Sequence, residues 1–374
     1  MWRLVLALTL LCSRSEGAVS CKDDNGAAVN WYILYKTPNL QDQHLSGLEY
    51  VYMDDRGQRE MGSSTTNFKG INHPEGVLAN TLRPLFTPIR QMPSNFGFIS
   101  YSDQPPGSSA SPEFGHSKGV LMVDSTGSGV WLLHSTPQFP FRRDQNSFWP
   151  NSGASNAQTF ICVTFLYPEF SKIGLHLQYI GAFPFEHDIP PGFHQELRDA
   201  VNWVKSNPSN NFQELTSTNL NLKFHSIAKQ QLDESKREGP AVGDLYVTIG
   251  QLINSDVDVQ SWGCQPDRKP SYCVKNQPKV YNVKNVWTRL GNWKPTRDHS
   301  KWCVSRDVNN HWTCLSDMNR STSQYKRRGG ALCFRNAAVK TFFRAFAHGT
   351  EDCSTPNIMD TLNTDCDASM DTSP

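Results

Sequence analysis

The sequence predicts an α/β protein in which helices cover sheets. Three observations carry that expectation. Strand-like runs recur along the chain, helix-like runs are interleaved with them, and the stretch 115–135 is repeated in outline at 298–319. The repeat divides the chain into an N-terminal half, 18–205, and a C-terminal half, 206–374, behind a leader of residues 1–17.

The leader comes first. Arg3 precedes the apolar run Leu4 to Leu11, and Gly17 and Ala18 supply the small residues of a signal-peptidase site. The run is too short to span a bilayer, and no later stretch approaches the roughly 20 apolar residues a span needs. The mature chain is expected to be soluble and to pass through the secretory pathway. Strands are expected at "NWYILYK" (from 30), "FGFISYS" (96), "TFICVTFLY" (159), "GDLYVTIGQLI" (243) and "KVYNVKNVW" (279), which are β-branched and aromatic and bounded by Gly, Pro or Asn. Helices are expected at "HQELRDAVNWVKS" (194) and "NAAVKTFFRAFAHG" (336). The polar segment 206–219 reads as the junction between halves, and "SDQPPGSSASPEFG", 102–115, as an irregular loop beside the first repeat. The polar tail after Cys353 is expected to be poorly ordered.

Cysteine usage agrees with an oxidising compartment. Cys12 leaves with the leader, so nine cysteines remain and at least one stays outside an intramolecular pair. No CxxC or zinc-finger spacing is present, which argues against a structural metal site. Loss of Arg3, Arg14 and Glu16 with the leader leaves no net charge, so the chain is not built to bind a polyanion at neutral pH. Eleven histidines would make it cationic near pH 5, although by count alone ordinary surface histidines are the better explanation.

The repeat itself is specific. His116, Lys118 and Asp124 share their spacing with His299, Lys301 and Asp307, and each Asp precedes a turn, then a Trp (Trp131 or Trp312) and a Ser (Ser135 or Ser316). Each copy reads as a β-hairpin whose first strand carries His and Lys on one face. Pairing Asp307 with His311 would set Lys301 opposite Asp317 and His299 opposite Asn319; the equivalent register in the first copy puts His134 on the face of His116 and Lys118. Phosphodiester cleavage without a metal needs a nucleophile, a proton donor for the leaving oxygen and positive charge around the phosphoryl oxygens. Two imidazoles and two ammonium groups supply that set. A lone HxK would mean a solvated strand; a repeated one, with matching Asp, turn and Trp, points to catalysis.

The segments "GHSKGV", "LLHSTPQFP", "DHSKWCVS", "WTCLSDMNR" and "VNWYILYKTP", with "SDQPP" and "TFICVTF", closely resemble deoxyribonuclease II, an acid endonuclease family related to the phospholipase D superfamily. The likeness covers nearly all of the mature chain. The superfamily's HxK(x4)D pattern differs here by one residue before the Asp, so Asp124 and Asp307 read as turn residues. The resemblance implies two α-β-α sandwich halves packed as a phospholipase D-like pseudo-dimer around one site. It also implies metal-free cleavage of DNA to 3′-phosphate and 5′-hydroxyl ends in lysosomes, with secretion as a second destination. His116 would form a phosphohistidine, His299 would protonate the leaving 5′-oxygen and then activate water, and Lys118 and Lys301 would hold the non-bridging oxygens. The implied disulfides are Cys21–Cys162, Cys273–Cys353 and Cys314–Cys333, leaving Cys264, Cys303 and Cys366.

Further candidates surround this set. His134 would orient the phosphate or tune His116, or is a hydrogen-bonded strand histidine. Asp317, beside Lys301, would shield the general acid from like charge or pair with that lysine. Asn319 lies in the chain's one N-x-S/T sequon, but a glycan beside His299 would block DNA, so an unmodified side chain is expected. Arg327 and Arg328, in the basic run "QYKRRGGALC", would grip the DNA backbone, though a solvated surface run is the commoner explanation. The aromatic residues offer no stacking platform that the sequence can locate. DNA is the expected partner, with no cofactor, metal or membrane, and a homodimer is left open. The competing functions are a lipid head-group phosphodiesterase, which greasy loops beside the motifs would favour, and a secreted DNA-binding or toxin-like protein, which loss of one HxK would favour.

Overall fold

The computed structural model describes residues 19–62, 67–207, 211–229, 231, 242–353 and 366. The leader and nearly all of the tail lie outside the described residues. No described helix is long and apolar enough to cross a membrane.

Two large sheets organise the chain. The first contains Trp31–Lys36 (β1), Tyr50–Asp54 (β2), Gly57–Met61 (β3), Phe96–Ser102 (β4), Lys118–Asp124 (β5), Ser128–His134 (β6), Gln158–Leu166 (β7) and Pro184–Asp188 (β8), in the order β8-β4-β5-β6-β7-β1-β2-β3. The second contains Phe212–Thr216 (β9), Lys223–Ala228 (β10), Val257–Gln260 (β11), Val280–Trp287 (β12), Asn292–Trp293 (β13), Trp302–Ser305 (β14), Trp312–Ser316 (β15), Gly330–Arg335 (β16) and Ala347–Thr350 (β17). Its order is β9-β10-β16-β15-β14-β11-β12-β13, with β17 on β12. The helices are Val77–Leu82 (α1), Glu169–Tyr179 (α2), Gln195–Val201 (α3), Leu245–Ile253 (α4), Thr322–Tyr325 (α5) and Ala337–Phe346 (α6). The protein is α/β, as its patterning predicts.

Alternation along β1 builds two of the core layers. Trp31, Ile33 and Tyr35 enter a core shared with Trp302, Leu332 and Phe334 of the second sheet, into which α2, α3 and α6 also pack. Tyr32 and Leu34 point the other way, into the layer beneath α1. Complete burial of Ile33 or Leu34 stabilises the fold by roughly 1.5–3 kcal/mol each. Because both faces are covered, the strands carry long apolar runs.

One expected strand is a helix. "GDLYVTIGQLI" folds as α4, capped by the Asp244 side chain, which accepts from the Tyr246 amide at 3.0 Å, and closed by Asn254 at φ 50°. Six of its nine residues are buried, so the run lacks the polar stripe that marks a helix, and its β-branched content reads as strand. The run from 336 does form a helix, α6, capped by Asn336. The run from 194 stops at Val201, two residues before Trp203 at φ 61°. Within 206–219 lies the edge strand β9.

Among the described residues there are four disulfides, Cys21–Cys162, Cys264–Cys366, Cys273–Cys353 and Cys314–Cys333, with Cys303 a buried thiol. The fold carries a liability in acid. His176 on α2 is fully buried 5.2 Å from the Trp131 ring, and burial pushes its pKa down to about 3. The unfolded chain, at about 6.5, therefore binds the extra proton, and stability is lost as pH falls below 6.5, by about 2 kcal/mol at pH 5 from this residue alone. His176→Phe should flatten the decline in Tm between pH 7 and 4.5; an unchanged slope would contradict the assignment.

Candidate active site

Both repeats fold as hairpins, but their first strands begin at Lys118 and Trp302, so His116, His299 and Lys301 precede the strands expected to carry them. In the first, Val123 pairs with Gly129 and Gly119 with Leu133, which sets His134 across from Lys118, the expected register. In the second, Val304 pairs with Thr313 and Trp302 with Leu315, one residue away from the expected pairing of Asp307 with His311. The cause is the connection. Ser305 Oγ accepts from the Trp312 amide at 3.1 Å, so the ladder closes at Ser305 and residues 306–311 form a longer turn. Lys301 therefore faces Ser316, whose amide donates to the Lys301 carbonyl at 2.9 Å. Asp317 and Asn319 still approach the site because the strand ends at Ser316, and strand parity does not govern residues 317–319. Asp124 and Asp307 are turn residues: their Oδ1 atoms accept from the amides of Thr126 and Asn309.

The motif residues meet. His116, Lys118, His299, Lys301, Asn319 and Arg327 line one cleft of about 820 Å³, walled on one side by the 102–115 loop. Beneath His116 lies Asp103, the residue after β4, which falls within the resembling segment "SDQPP" but is not expected there as a site residue. Its Oδ2 is 2.6 Å from His116 Nδ1, its Oδ1 accepts from Lys118 Nζ at 2.5 Å, and Arg327 Nη2 is 3.1 Å from Oδ2. Burial opposes the Asp103 charge, but His116, Lys118 and Arg327 hold its pKa well below the usual carboxylate range. Burial pushes His116 down to about 3 against the raising effect of Asp103, with Lys118 and Arg327 adding to the fall. A neutral imidazole against a carboxylate must donate from Nδ1, which leaves Nε2 as the lone-pair nitrogen.

The second copy is built differently. Lys301 Nζ donates to the His299 carbonyl at 2.7 Å, and burial followed by Lys118 lowers its pKa to about 7. The His299 ring lies 4.5 Å from the ring of Trp262. Its pKa is well below the ordinary value through burial, then Lys301, Lys118, His116 and Lys36. The preceding Asp298 is fully buried and accepts from Tyr35 Oη at 2.5 Å and Trp293 Nε1 at 2.8 Å.

Each motif is also held by the opposite sheet's segments. The His116 amide donates to the Arg328 carbonyl, and the His299 amide to the Ala157 carbonyl, both at 2.9 Å. Gly115 packs so closely that a Cβ there would lie 1.8 Å from the Ile180 carbonyl oxygen, which explains a glycine before the first motif.

The remaining candidates separate. Asn319, 4 % exposed, lines the cleft and accepts through Oδ1 from the Trp262 amide at 3.1 Å. Asp317 is buried near Lys118 with neither carboxylate oxygen hydrogen-bonded to a side chain, so the expected pairing with Lys301 is not made, and burial raises its carboxyl to about 8. His134 is buried between Phe139 and Phe160 and does not line the cleft; burial and then Lys118 hold it well below its ordinary pKa. Arg328 turns from the cleft to donate to the carbonyls of Tyr179 and Ser206, leaving Arg327 as the member of the pair that faces it. Among the described residues no group of three or more His, Cys, Asp or Glu is placed to hold a metal ion.

Two imidazoles, two buried lysines and a carboxylate-held arginine around an open cleft are a set of groups suited to phosphodiester cleavage by a hydrolase. The deoxyribonuclease II family model matches residues 20–353. The chain belongs to the deoxyribonuclease II family and is a nuclease-type hydrolase. It is 34% identical to plancitoxin-1 of Acanthaster planci over 358 residues, covering 91% of this chain and 96% of that protein. It is 32% identical to deoxyribonuclease-2-alpha of Mus musculus over 372 residues, covering 94% and 97%. A yeast tyrosyl-DNA phosphodiesterase structure aligns with 63% of this chain and 69% of its own at 9% identity and a TM-score of 0.29, too distant a likeness to carry an argument.

Proposed function

We propose that the protein is an acid endodeoxyribonuclease that hydrolyses DNA through a phosphohistidine, without a metal or cofactor, and degrades DNA in lysosomes, with a share secreted. The observation that carries this reading is the single cleft into which both histidine–lysine pairs open, with Asp103 on His116 Nδ1. His116 Nε2 attacks phosphorus, and the bond to the 5′-oxygen breaks as His299 gives that oxygen a proton. Neutral His299 then takes a proton from water, whose oxygen attacks the phosphohistidine and releases a 3′-phosphate. Lys118 and Lys301 hold the non-bridging oxygens, and Arg327 extends the positive wall along the strand. His134 and Asp317 support the site from behind these residues, and Asn319 from its rim. The N- and C-terminal halves, 18–205 and 206–374, act as a pseudo-dimer sharing this site. The polar loop residues Gln104, Ser108 and Ser109 on the cleft wall favour DNA over a lipid head group.

Incubation with plasmid at pH 5 in EDTA tests the reading. Nicking should persist, and the new ends should resist polymerase extension until a phosphatase has removed the 3′-phosphate. A strict Mg²⁺ requirement, or ends that extend at once, would overturn it.

Lys301 gives the expected pH dependence. With its pKa near 7 it is charged at pH 5 and becomes neutral as pH rises through neutrality, so one of the two cations on the phosphate is lost there. The apparent KM should climb above about pH 7. Lys301→Arg, whose guanidinium stays charged, should retain tight binding at pH 8 even if turnover falls, and a parent-like rise in KM for this variant would refute the role.

A further inference from the structure

The two motifs are copies, yet their surroundings are not. Ser102 pairs with Lys118 across β4 and β5, and Gln260 pairs with Trp302 across β11 and β14, which sets Ser261 against Lys301 at the next step. Asp103 and Trp262 therefore occupy equivalent positions, each just beyond the strand that flanks its motif. One is a carboxylate bonded to its histidine, and the other is an indole 4.5 Å from its histidine at an interplanar angle of 46°. Trp262 is held in place by its own amide on Asn319 Oδ1 and by Gly263, whose amide donates to the Pro295 carbonyl at 3.0 Å. A Cβ on Gly263 would lie 3.0 Å from the Thr296 amide nitrogen, so this turn seats directly on the segment that leads to His299.

We infer that Trp262 is the positioning residue of His299, an aromatic face in place of a carboxylate that lets this histidine serve as the proton donor. The inference rests on the paired-histidine mechanism proposed for the site. A carboxylate at this position would bind the proton of an imidazolium strongly, whereas an indole face stabilises the cation without accepting its proton. His299 is otherwise faced by Lys301, Lys118, His116 and Lys36, all of which oppose its protonation, while the Asp298 carboxyl is turned to Tyr35 and Trp293. Trp262 and the incoming phosphodiester are then the groups that favour the protonated form.

The test compares Trp262→Leu, which keeps apolar bulk, with Trp262→Phe, which keeps an aromatic face. Each is assayed on DNA and on thymidine 3′-(p-nitrophenyl phosphate), whose leaving group departs without a proton. The leucine variant should turn DNA over about tenfold more slowly at pH 5. The alkaline limb of its kcat profile should move to lower pH by about half a unit to one unit. Its pre-steady-state burst of p-nitrophenolate should stay within about twofold of the parent, and the phenylalanine variant should resemble the parent in all three. A burst that falls as far as DNA turnover, or a rise in KM with an unmoved limb, would overturn the inference. Trp262→Met replaces the leucine variant if that protein fails to fold, with the same outcomes. His299→Ala separates the two levels: it should lose DNA turnover and keep the burst. If it loses both or neither, the paired-histidine reading fails whatever Trp262 does.

Discussion

His116→Ala and His299→Ala should each cleave DNA at about one thousandth of the parent rate or less at pH 5, because a nucleophile or a general acid is worth roughly that much. Neither change should unfold the protein. His116 is held by a backbone bond to Arg328 that alanine keeps, and His299 by the equivalent bond to Ala157. The two variants should differ in what accumulates. His299→Ala retains the nucleophile, so rapid quenching should trap an acid-labile phosphoenzyme with an activated substrate, whereas His116→Ala should trap none. Near-normal turnover by either variant would defeat the paired mechanism, and a trapped phosphoenzyme in His116→Ala would reverse the assignment.

Asp103→Asn should be almost as severe, at roughly 10²- to 10⁴-fold in rate, since the wrong imidazole tautomer alone costs on that order where a carboxylate orients a histidine. The carboxylate serves three donors at once, His116 Nδ1, Lys118 Nζ and Arg327 Nη2. An amide offers one acceptor oxygen, so Lys118 would be left buried with its charge uncompensated, at a cost of about 3–5 kcal/mol in stability. Activity and Tm should therefore fall together, and Asp103→Glu, which restores the charge one methylene further out, should recover the Tm more fully than the rate. If Asp103→Asn kept both, Asp103 would be a bystander of the cleft.

How far the sequence reaches depends on whether a feature is local. The strands around Trp31–Lys36 and Gln158–Leu166 are legible because β-branched and aromatic runs have few other readings. The α4 segment is misread because burial on nearly every side removes the periodicity that distinguishes a helix. The first hairpin's register follows from its short turn, while the second slips because Ser305 closes the ladder early, an event settled by one side-chain hydrogen bond. His116, Lys118, His299 and Lys301 stand out through repetition. Asp103 and Trp262 do not, because neither belongs to the repeat and their place beside the motifs comes from strand pairing. Arg327 and Arg328 are indistinguishable as a basic run, and only their donors' partners tell them apart.

The unlike neighbours of the two histidines also give the cleft a direction. A pair of identical half-sites would accept a strand threaded either way, since each histidine would do for either task. Under the division of labour proposed here, the 5′-oxygen must face His299 and the side of phosphorus opposite that oxygen must face His116. Of the two antiparallel strands of a duplex, only the one running in the correct sense past Trp262 is then presented for attack at a given docking. The complementary strand requires the duplex to leave, turn and bind again.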